Sequence, residues 1–218
     1  LIDKYTRPPK FGAPAKQKKE GYSMAGKQKN EFVQLGGILC AITLVVALAL
    51  GAVNAVTAGP IAEQNAQKIK DSLENVMPGA ESEQIDVPEG TTVTTETKNA
   101  TSVTILSAYK MTKDGADAGY CVEVGPTGFG GAVDTMVGID SDGKVTGISV
   151  ISASSETPGL GARSTEPEFQ AQFAGQVGTE VAVAKDGGSI DALTGATITS
   201  RAVSEGVVAA AQFAAEQG

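Results

Sequence analysis

An uninterrupted apolar segment near the N-terminus constrains the fold of this chain most strongly. No charged residue occurs from Phe32 to Ala62, and residues 35–53 are apolar apart from Thr43. A helix of about 20 apolar residues is long enough to cross a bilayer of about 30 Å. The segment therefore predicts a transmembrane helix over residues 32–57 and a connecting helix over residues 58–79. The alternative is a cleavable signal peptide, which the basic start and Val56-Thr57-Ala58 would allow, but the apolar run is longer than a usual signal core.

Charge predicts how this helix is oriented. Residues 1–31 carry eight basic and three acidic groups, a net +5 of a chain total of −8, which leaves −13 for the remainder. Because basic flanks stay in the cytoplasm, we expect residues 1–31 to form a cytoplasmic tail and residues 80–218 an extracytoplasmic domain. Beside a membrane span, basic residues are a poor indicator of nucleic-acid binding. Met24-Ala25-Gly26-Lys27 resembles a natural start, so residues 1–23 are read either as a flexible tail or as a fusion remnant or upstream read-through that is not native.

Beyond the span, the pattern predicts one α+β domain with a mainly antiparallel sheet and a C-terminal helix. A helix over residues 61–76 should end at Pro78-Gly79, and residues 80–100 should add one or two edge strands. Residues 140–144 are a turn-rich connection between two alternating runs, which is typical of a β-hairpin. The predicted strands cover residues 103–109, 119–124, 132–139, 145–151 and 181–184, and the predicted helices cover residues 166–173 and 198–216.

Composition excludes several kinds of chemistry. The chain has no histidine, so it cannot form a Ser-His-Asp or Cys-His catalytic arrangement, and the usual catalytic zinc sites lose their commonest ligand. We predict no metal site and no catalytic residue. The two cysteines, Cys40 and Cys121, are expected to be unpaired, small buried hydrophobic residues. Any redox chemistry would have to come from a bound cofactor.

The most informative segment is residues 191–200, Asp-Ala-Leu-Thr-Gly-Ala-Thr-Ile-Thr-Ser. It predicts a strand end, a turn of small residues and a helix that begins near Thr197. Free N–H groups and the helix dipole favour phosphate binding at such a helix start. Gly195 and Ala196 would let backbone amides approach phosphate oxygens closely. Hydroxyls in this position are also common helix N-caps, so a purely structural role for Thr194, Thr197 and Thr199 stays open.

This segment resembles the flavinylation motif of the FMN-binding domain in the G subunit of Rnf complexes and the C subunit of sodium-pumping NADH:quinone reductases. The motif runs Asp, two residues, Ser or Thr, Gly, Ala, Thr, one residue, Ser or Thr, and Asp191 to Thr199 match every place. The resemblance implies that Thr197 is esterified by the FMN phosphate and that a flavin transferase supplies the FMN from FAD. Asp191 would be the motif's leading acid, and Thr199 a helix cap rather than the acceptor.

Two further segments are similar to the same family. Residues 156–161, Glu-Thr-Pro-Gly-Leu-Gly, match its signature loop, which implies flavin contacts for Glu156, Thr157, Gly159 and Leu160. Residues 128–131, Gly-Phe-Gly-Gly, resemble its central hairpin, where Phe129 could pack on the isoalloxazine. Two arginines, Arg163 and Arg201, are candidates for a position near the ring or phosphate.

The resemblance implies an electron-carrier subunit of an Rnf-type membrane complex. In that family, the G subunit passes electrons from an intramembrane iron–sulfur subunit pair to a second flavin subunit, and the complex couples ferredoxin oxidation and NAD reduction to sodium or proton export. This sequence has no cysteine cluster, no dinucleotide-binding fingerprint and no charge in its span. One alternative is the C subunit of the quinone reductase, which is usually longer. Another is a membrane-anchored binding or scaffold domain without flavin.

Overall fold

A computed structural model of the chain describes residues 25–98 and 100–218, with side chains from residue 32 onward. The chain divides after Ala58 into two compact units. Of the predicted basic tail, residues 1–24 lie outside the described residues.

The first element is one long helix, α1, which runs from Ala25 to Val76 over 52 residues and includes Pro60. Within residues 25–98 and 100–218 it is the one helix whose length and apolar composition would allow it to cross a membrane. The hydroxyl of Thr43 donates to the carbonyl of Leu39 at 3.0 Å, so this polar group is satisfied inside the helix. The helix ends just before Pro78-Gly79, as the sequence predicts, and Gly79 adopts φ 72°.

The second unit contains an antiparallel sheet, as predicted. Its strands are β1 (Glu81–Ile85), β2 (Thr92–Thr94), β3 (Ser102–Lys113), β4 (Ala116–Gly125), β5 (Asp134–Ile139) and β6 (Val145–Ser152). The order across the sheet is β1-β3-β4-β5-β6, and β2 also pairs with β3. The predicted hairpin at residues 140–144 joins β5 to β6. Five short helical segments follow, and the chain closes with α3 (Thr197–Gln217). The five are the helix α2 (Pro167–Gln170) and the 3₁₀ turns Gly161–Thr165, Ala171–Phe173, Gly178–Glu180 and Ala184–Asp186.

Each face of the sheet buries a separate apolar cluster. Alternate residues of β3, β4 and β5 pack with α3 in the main core, which contains Val122, Val137 and Val207. The opposite face packs against the last turn of α1 through Leu73 and Val76. Cys121 belongs to the apolar cluster on this second face.

The last residue of α1 is fixed to β5 and β6. Gly138 and Gly147 are paired across these strands, and a Cβ at Gly147 would lie 3.5 Å from the Cα of Val76. The hydroxyl of Thr146 donates to the carbonyl of Val76 at 2.7 Å. Because glycine has no side chain, the helix end approaches the sheet backbone closely at this point.

The two cysteines are free, as predicted. Cys121 has no exposed surface, and burial raises the pKa of its thiol to about 12. It therefore fits the prediction of a buried hydrophobic residue. Cys40 is exposed on the apolar segment of α1, so that prediction is wrong for Cys40.

The strand predicted at residues 181–184 is wrong. Val183 forms a single parallel bridge with Ile190, and the chain turns at once into a 3₁₀ segment, Ala184–Asp186. The turn closes when the N–H of Gly187 donates to the carbonyl of Ala184 at 3.1 Å, with Gly187 at φ 99°. Glycine tolerates this left-handed conformation, so it ends the extended run before a strand can form.

Candidate functional site

The start of α3 places the half-buried Thr197 at the first helical position, where its hydroxyl has no capping role. Thr197 is the first residue of the helix, and Ala196 occupies the N-cap position without a side-chain capping bond. The described contact of the Thr197 hydroxyl is with the Nζ of Lys185, at 3.4 Å. The N-cap alternative is therefore wrong for Thr197.

Ser200 holds the turn that precedes Thr197. Its hydroxyl accepts a bond from the N–H of Leu193 and donates to the carbonyl of Ala196, both at 3.0 Å. Gly195 sits in the turn at φ 79°, a conformation that favours glycine. Ser200 is fully buried. Ser200 was not among the residues predicted from the sequence, although a further hydroxyl directly after the motif is a signal that could have found it.

Thr199 bonds to the signature loop rather than to the helix backbone. Its hydroxyl donates to Oε2 of Glu156 at 2.7 Å, and both side chains are buried. The expectation that Thr199 caps the helix is therefore wrong. A hydrogen bond to a carboxylate is stronger than one between neutral groups, so this contact ties the first turn of α3 firmly to residues 156–161.

Glu156 also fixes the central hairpin loop. Its Oε1 accepts a bond from the N–H of Gly130 at 3.0 Å. Glycines surround the carboxylate: a Cβ at Gly128 would overlap Oε1, and a Cβ at Gly161 would overlap Oε2. We call Glu156, Thr199 and Gly130 the carboxylate clamp. The clamp brings together residues 128–131, 156–161 and 191–200, which are the three segments that resemble the FMN-binding family and are far apart in the sequence.

These segments enclose an open pocket of about 420 Å³, within the size range of small-molecule sites. Three large apolar side chains remain exposed in it: Phe129 (70%), Ile198 (52%) and Leu160 (40%). Exposed apolar groups of this size are suited to contact with a flat aromatic ligand. The pocket is lined by Phe129, Glu156, Thr157, Leu160, Gly161, Lys185, Gly195, Ala196, Thr197, Ile198 and Thr199.

Three predicted site residues lie outside this lining. Asp191 is exposed, and its backbone is held by Gln172, whose Oε1 accepts the Asp191 N–H at 2.7 Å. Thr194 and Gly159 are also exposed. Gly159 has φ 75°, which explains why a glycine occupies this turn. The structure therefore brings seven of the ten predicted residues to the pocket (Glu156, Thr157, Leu160, Gly195, Ala196, Thr197 and Thr199).

The cation beside Thr197 is Lys185, which was not predicted from the sequence. Lys185 lines the pocket, whereas the two candidate arginines do not. Arg163 forms an ion pair with Glu166 at 2.9 Å. Arg201 forms one with Asp186 at 2.7 Å, and this hydrogen-bonded contact raises the pKa of Arg201. Lys185 lies before the motif in the sequence Lys-Asp-Gly-Gly, which indicates only a turn, so no sequence signal identified it as a site residue.

The residues present fit a flavin phosphate ester. A helix start with a hydroxyl free of capping bonds, a neighbouring lysine and a turn of small residues suits a phosphate. The exposed apolar side chains in the same pocket suit the isoalloxazine ring. The fold and pocket are those expected of a flavin-binding module that follows an apolar helix in the sequence, and the sequence model of the FMN-binding domain matches residues 128–212.

Relatives extend this similarity beyond the flavin-binding module. The chain is 38% identical to the G subunit of the Na(+)-translocating ferredoxin:NAD(+) oxidoreductase complex of Acetobacterium woodii, over 80% of this chain and 87% of that protein. It is 33% identical to the G subunit of the ion-translocating oxidoreductase complex of Cereibacter sphaeroides, over 77% of each chain. It is 32% identical to the protein of the same name from Vibrio cholerae, over 83% of this chain and 90% of that protein. The chain belongs to the G-subunit family of ion-translocating oxidoreductase complexes. The one apolar helix of sufficient length among the described residues fits a single-pass protein of a membrane complex.

Proposed function

We propose that this chain carries FMN as a phosphoester on Thr197 and serves as an electron-carrier subunit of an Rnf-type membrane complex. The observation that carries the proposal is the hydroxyl of Thr197, which begins a 21-residue helix, makes no capping bond and faces both the pocket and Lys185. A scaffold domain without flavin gives no reason for these features to occur together. The relatives from Acetobacterium, Cereibacter and Vibrio are all G subunits, which favours that assignment over the C subunit of a quinone reductase.

The pocket residues fall into three groups with different parts in this proposal. Lys185 would face the phosphodiester and offset its charge, while Gly195 and Ala196 let the backbone approach it. The exposed side chains of Phe129, Leu160 and Ile198 would contact the isoalloxazine. The carboxylate clamp fixes the hairpin loop, the signature loop and the start of α3 relative to one another. Bound FMN supplies the redox chemistry, and the protein supplies its position and its electrostatic surroundings.

A covalent link suits a domain outside the cytoplasm, where free FMN is scarce. Occupancy of a reversible site depends on the ratio of free ligand to Kd, and an ester removes that dependence. The charge distribution supports this orientation, with the basic tail in the cytoplasm and the acidic domain outside. Maturation would need a flavin transferase. Partners would be the other membrane subunits, including an intramembrane iron–sulfur subunit pair and a second flavin subunit.

The test is chemical analysis of protein from cells that express the flavin transferase. We expect a fluorescent band on a denaturing gel under ultraviolet light and a mass increase of one FMN less water on the peptide containing Thr197. Thr197→Val should abolish both, Thr197→Ser should retain them, and Thr92→Val serves as the matched control because Thr92 is exposed on β2, outside both the motif and the pocket lining. An unmodified Thr197 peptide in wild-type protein would refute the proposal.

Orientation is tested separately with a cysteine at Ser141, which is exposed in the turn between β5 and β6. In a Cys40→Ser background, Ser141→Cys should react with a membrane-impermeant maleimide in intact spheroplasts. Labelling that appears only after permeabilisation would place the domain in the cytoplasm.

A further inference from the structure

An ion pair connects the turn that carries Lys185 to the helix that begins with Thr197. Arg201 donates from Nε and Nη2 to the two carboxylate oxygens of Asp186, at 2.7 and 2.8 Å. This two-bond fork fixes orientation as well as distance. Arg201 lies four residues after Thr197, so both side chains are on the same face of α3. Asp186 directly follows Lys185, so the pair lies one residue from the contact between Lys185 and Thr197.

The turn itself has a defined shape. The N–H of Asp186 donates to the carbonyl of Val183 at 2.8 Å, and the N–H of Ala184 donates to the carbonyl of Ile190 at 2.8 Å. These bonds set the conformation of residues 183–190, and the buried Val183 and Ile190 anchor the two ends of the turn in the same core as α3. Between these anchors, the Asp186–Arg201 fork adds a direct polar link from the turn to α3.

Lys185 needs such support because its own contact is weak. The Lys185 side chain is exposed, and the 3.4 Å distance from its Nζ to Thr197 is long for a hydrogen bond. A free lysine samples many rotamers, and an exposed, mobile cation contributes little to a charge interaction. Holding the backbone of residue 185 beside α3 reduces the volume that its ammonium group can sample.

We infer that the Asp186–Arg201 ion pair is a positioning device that holds Lys185 at Thr197 while the phosphoester forms; the inference rests on the proposed function. In that step, Oγ1 of Thr197 forms a bond to the phosphorus of the FMN half of FAD. The bond from that phosphorus to the AMP oxygen breaks, AMP leaves with the electron pair, and the hydroxyl proton passes to a base of the transferase or to water. Negative charge is concentrated on the phosphoryl oxygens during this transfer, and the ammonium group of Lys185 offsets it.

A double-mutant cycle distinguishes positioning from a general effect on stability. The assay mixes the full-length chain in detergent with purified flavin transferase and FAD, and it follows the initial rate at which the protein band becomes fluorescent. Lys185→Met should slow the rate about tenfold, as for loss of about 1.4 kcal/mol of transition-state stabilisation. Arg201→Gln should slow it several-fold, whereas the double variant should be no slower than Lys185→Met alone.

The matched control is Lys110→Gln, which removes the exposed ion pair of Lys110 with Asp117 at 3.2 Å, outside the pocket lining. It should leave the rate unchanged. Asp186→Asn offers a second way to break the fork if Arg201→Gln does not fold, with circular dichroism as the check. Arg201→Lys should rescue only in part, because an ammonium group keeps the charge but lacks the fork.

Independent, multiplicative effects of Lys185→Met and Arg201→Gln would overturn the inference, and so would an Arg201→Gln rate equal to that of Lys110→Gln. Either result with normal flavinylation of wild-type Thr197 would leave the proposed function standing. Absence of flavin from wild-type Thr197 would instead refute the proposed function itself.

Discussion

The buried bond between Thr199 and Glu156 allows a quantitative prediction. Thr199→Val removes the hydroxyl that donates to Oε2 at 2.7 Å and keeps the shape of the side chain. The Thr199 and Glu156 side chains are 1% and 4% exposed, so water cannot easily replace the lost donor. A hydrogen bond to a charged group contributes about 1.5–3 kcal/mol. We therefore expect Thr199→Val to lower the free energy of unfolding by about 2 kcal/mol.

The assay is urea unfolding of the flavin-free chain in detergent, followed by circular dichroism and analysed by linear extrapolation. Thr135→Val is the matched control, because Thr135 is also fully buried but its hydroxyl donates to a neutral carbonyl, that of Val133, at 3.1 Å. Its loss should cost about 1 kcal/mol. If Thr199→Val cost no more than Thr135→Val, the clamp would have no special strength and the reasoning would be refuted.

Three further predictions concern the same domain. Gly161→Ala should destabilise the fold by about 2 kcal/mol or more in the same urea assay, because the new Cβ would overlap Glu156 and lie 2.6 Å from the Thr199 hydroxyl. Glu123→Gln should stabilise the fold at neutral pH, because burial raises the pKa of Glu123 and the charged form therefore costs folding energy above that pKa. The gain should vanish in urea titrations below the ordinary pKa range of glutamate, and a gain that persists there would contradict a charge-based cause. In a Cys40→Ser background, Cys121 should resist iodoacetamide at pH 8 until urea unfolds the domain, because burial raises its pKa to about 12; rapid labelling of the folded protein would show that it is accessible.

The local parts of the fold were predictable from the sequence because their causes are local. The hairpin at residues 140–144, the helix end at Pro78-Gly79 and the start of α3 each follow from turn residues and periodicity within a few positions. The prediction of a strand at residues 181–184 was wrong because the 3₁₀ turn that Gly187 closes was favoured over a short alternation of apolar residues. A short run of this kind has too few backbone bonds to determine its own structure.

The site was only partly predictable, because its main contacts join distant positions. Thr199 meets Glu156 across 43 residues, and Gly130 meets it across 26. Sequence patterns place the hydroxyls of Thr197 and Thr199 at the helix start, but they cannot tell which one bonds to a carboxylate and which one lies beside a lysine. Lys185 illustrates the same limit, because nothing in its neighbourhood marks it as the lysine that reaches Thr197.

The carboxylate clamp has a consequence for protein engineering. A peptide tag copied from residues 191–199 would carry Thr197, yet it would omit Glu156, the glycines that make room for it and Ser200, which closes the turn. On a foreign helix such a tag would lack the supports that hold its acceptor oxygen in place. A transplant intended to take up flavin would need both loops, together with the turn that carries Lys185.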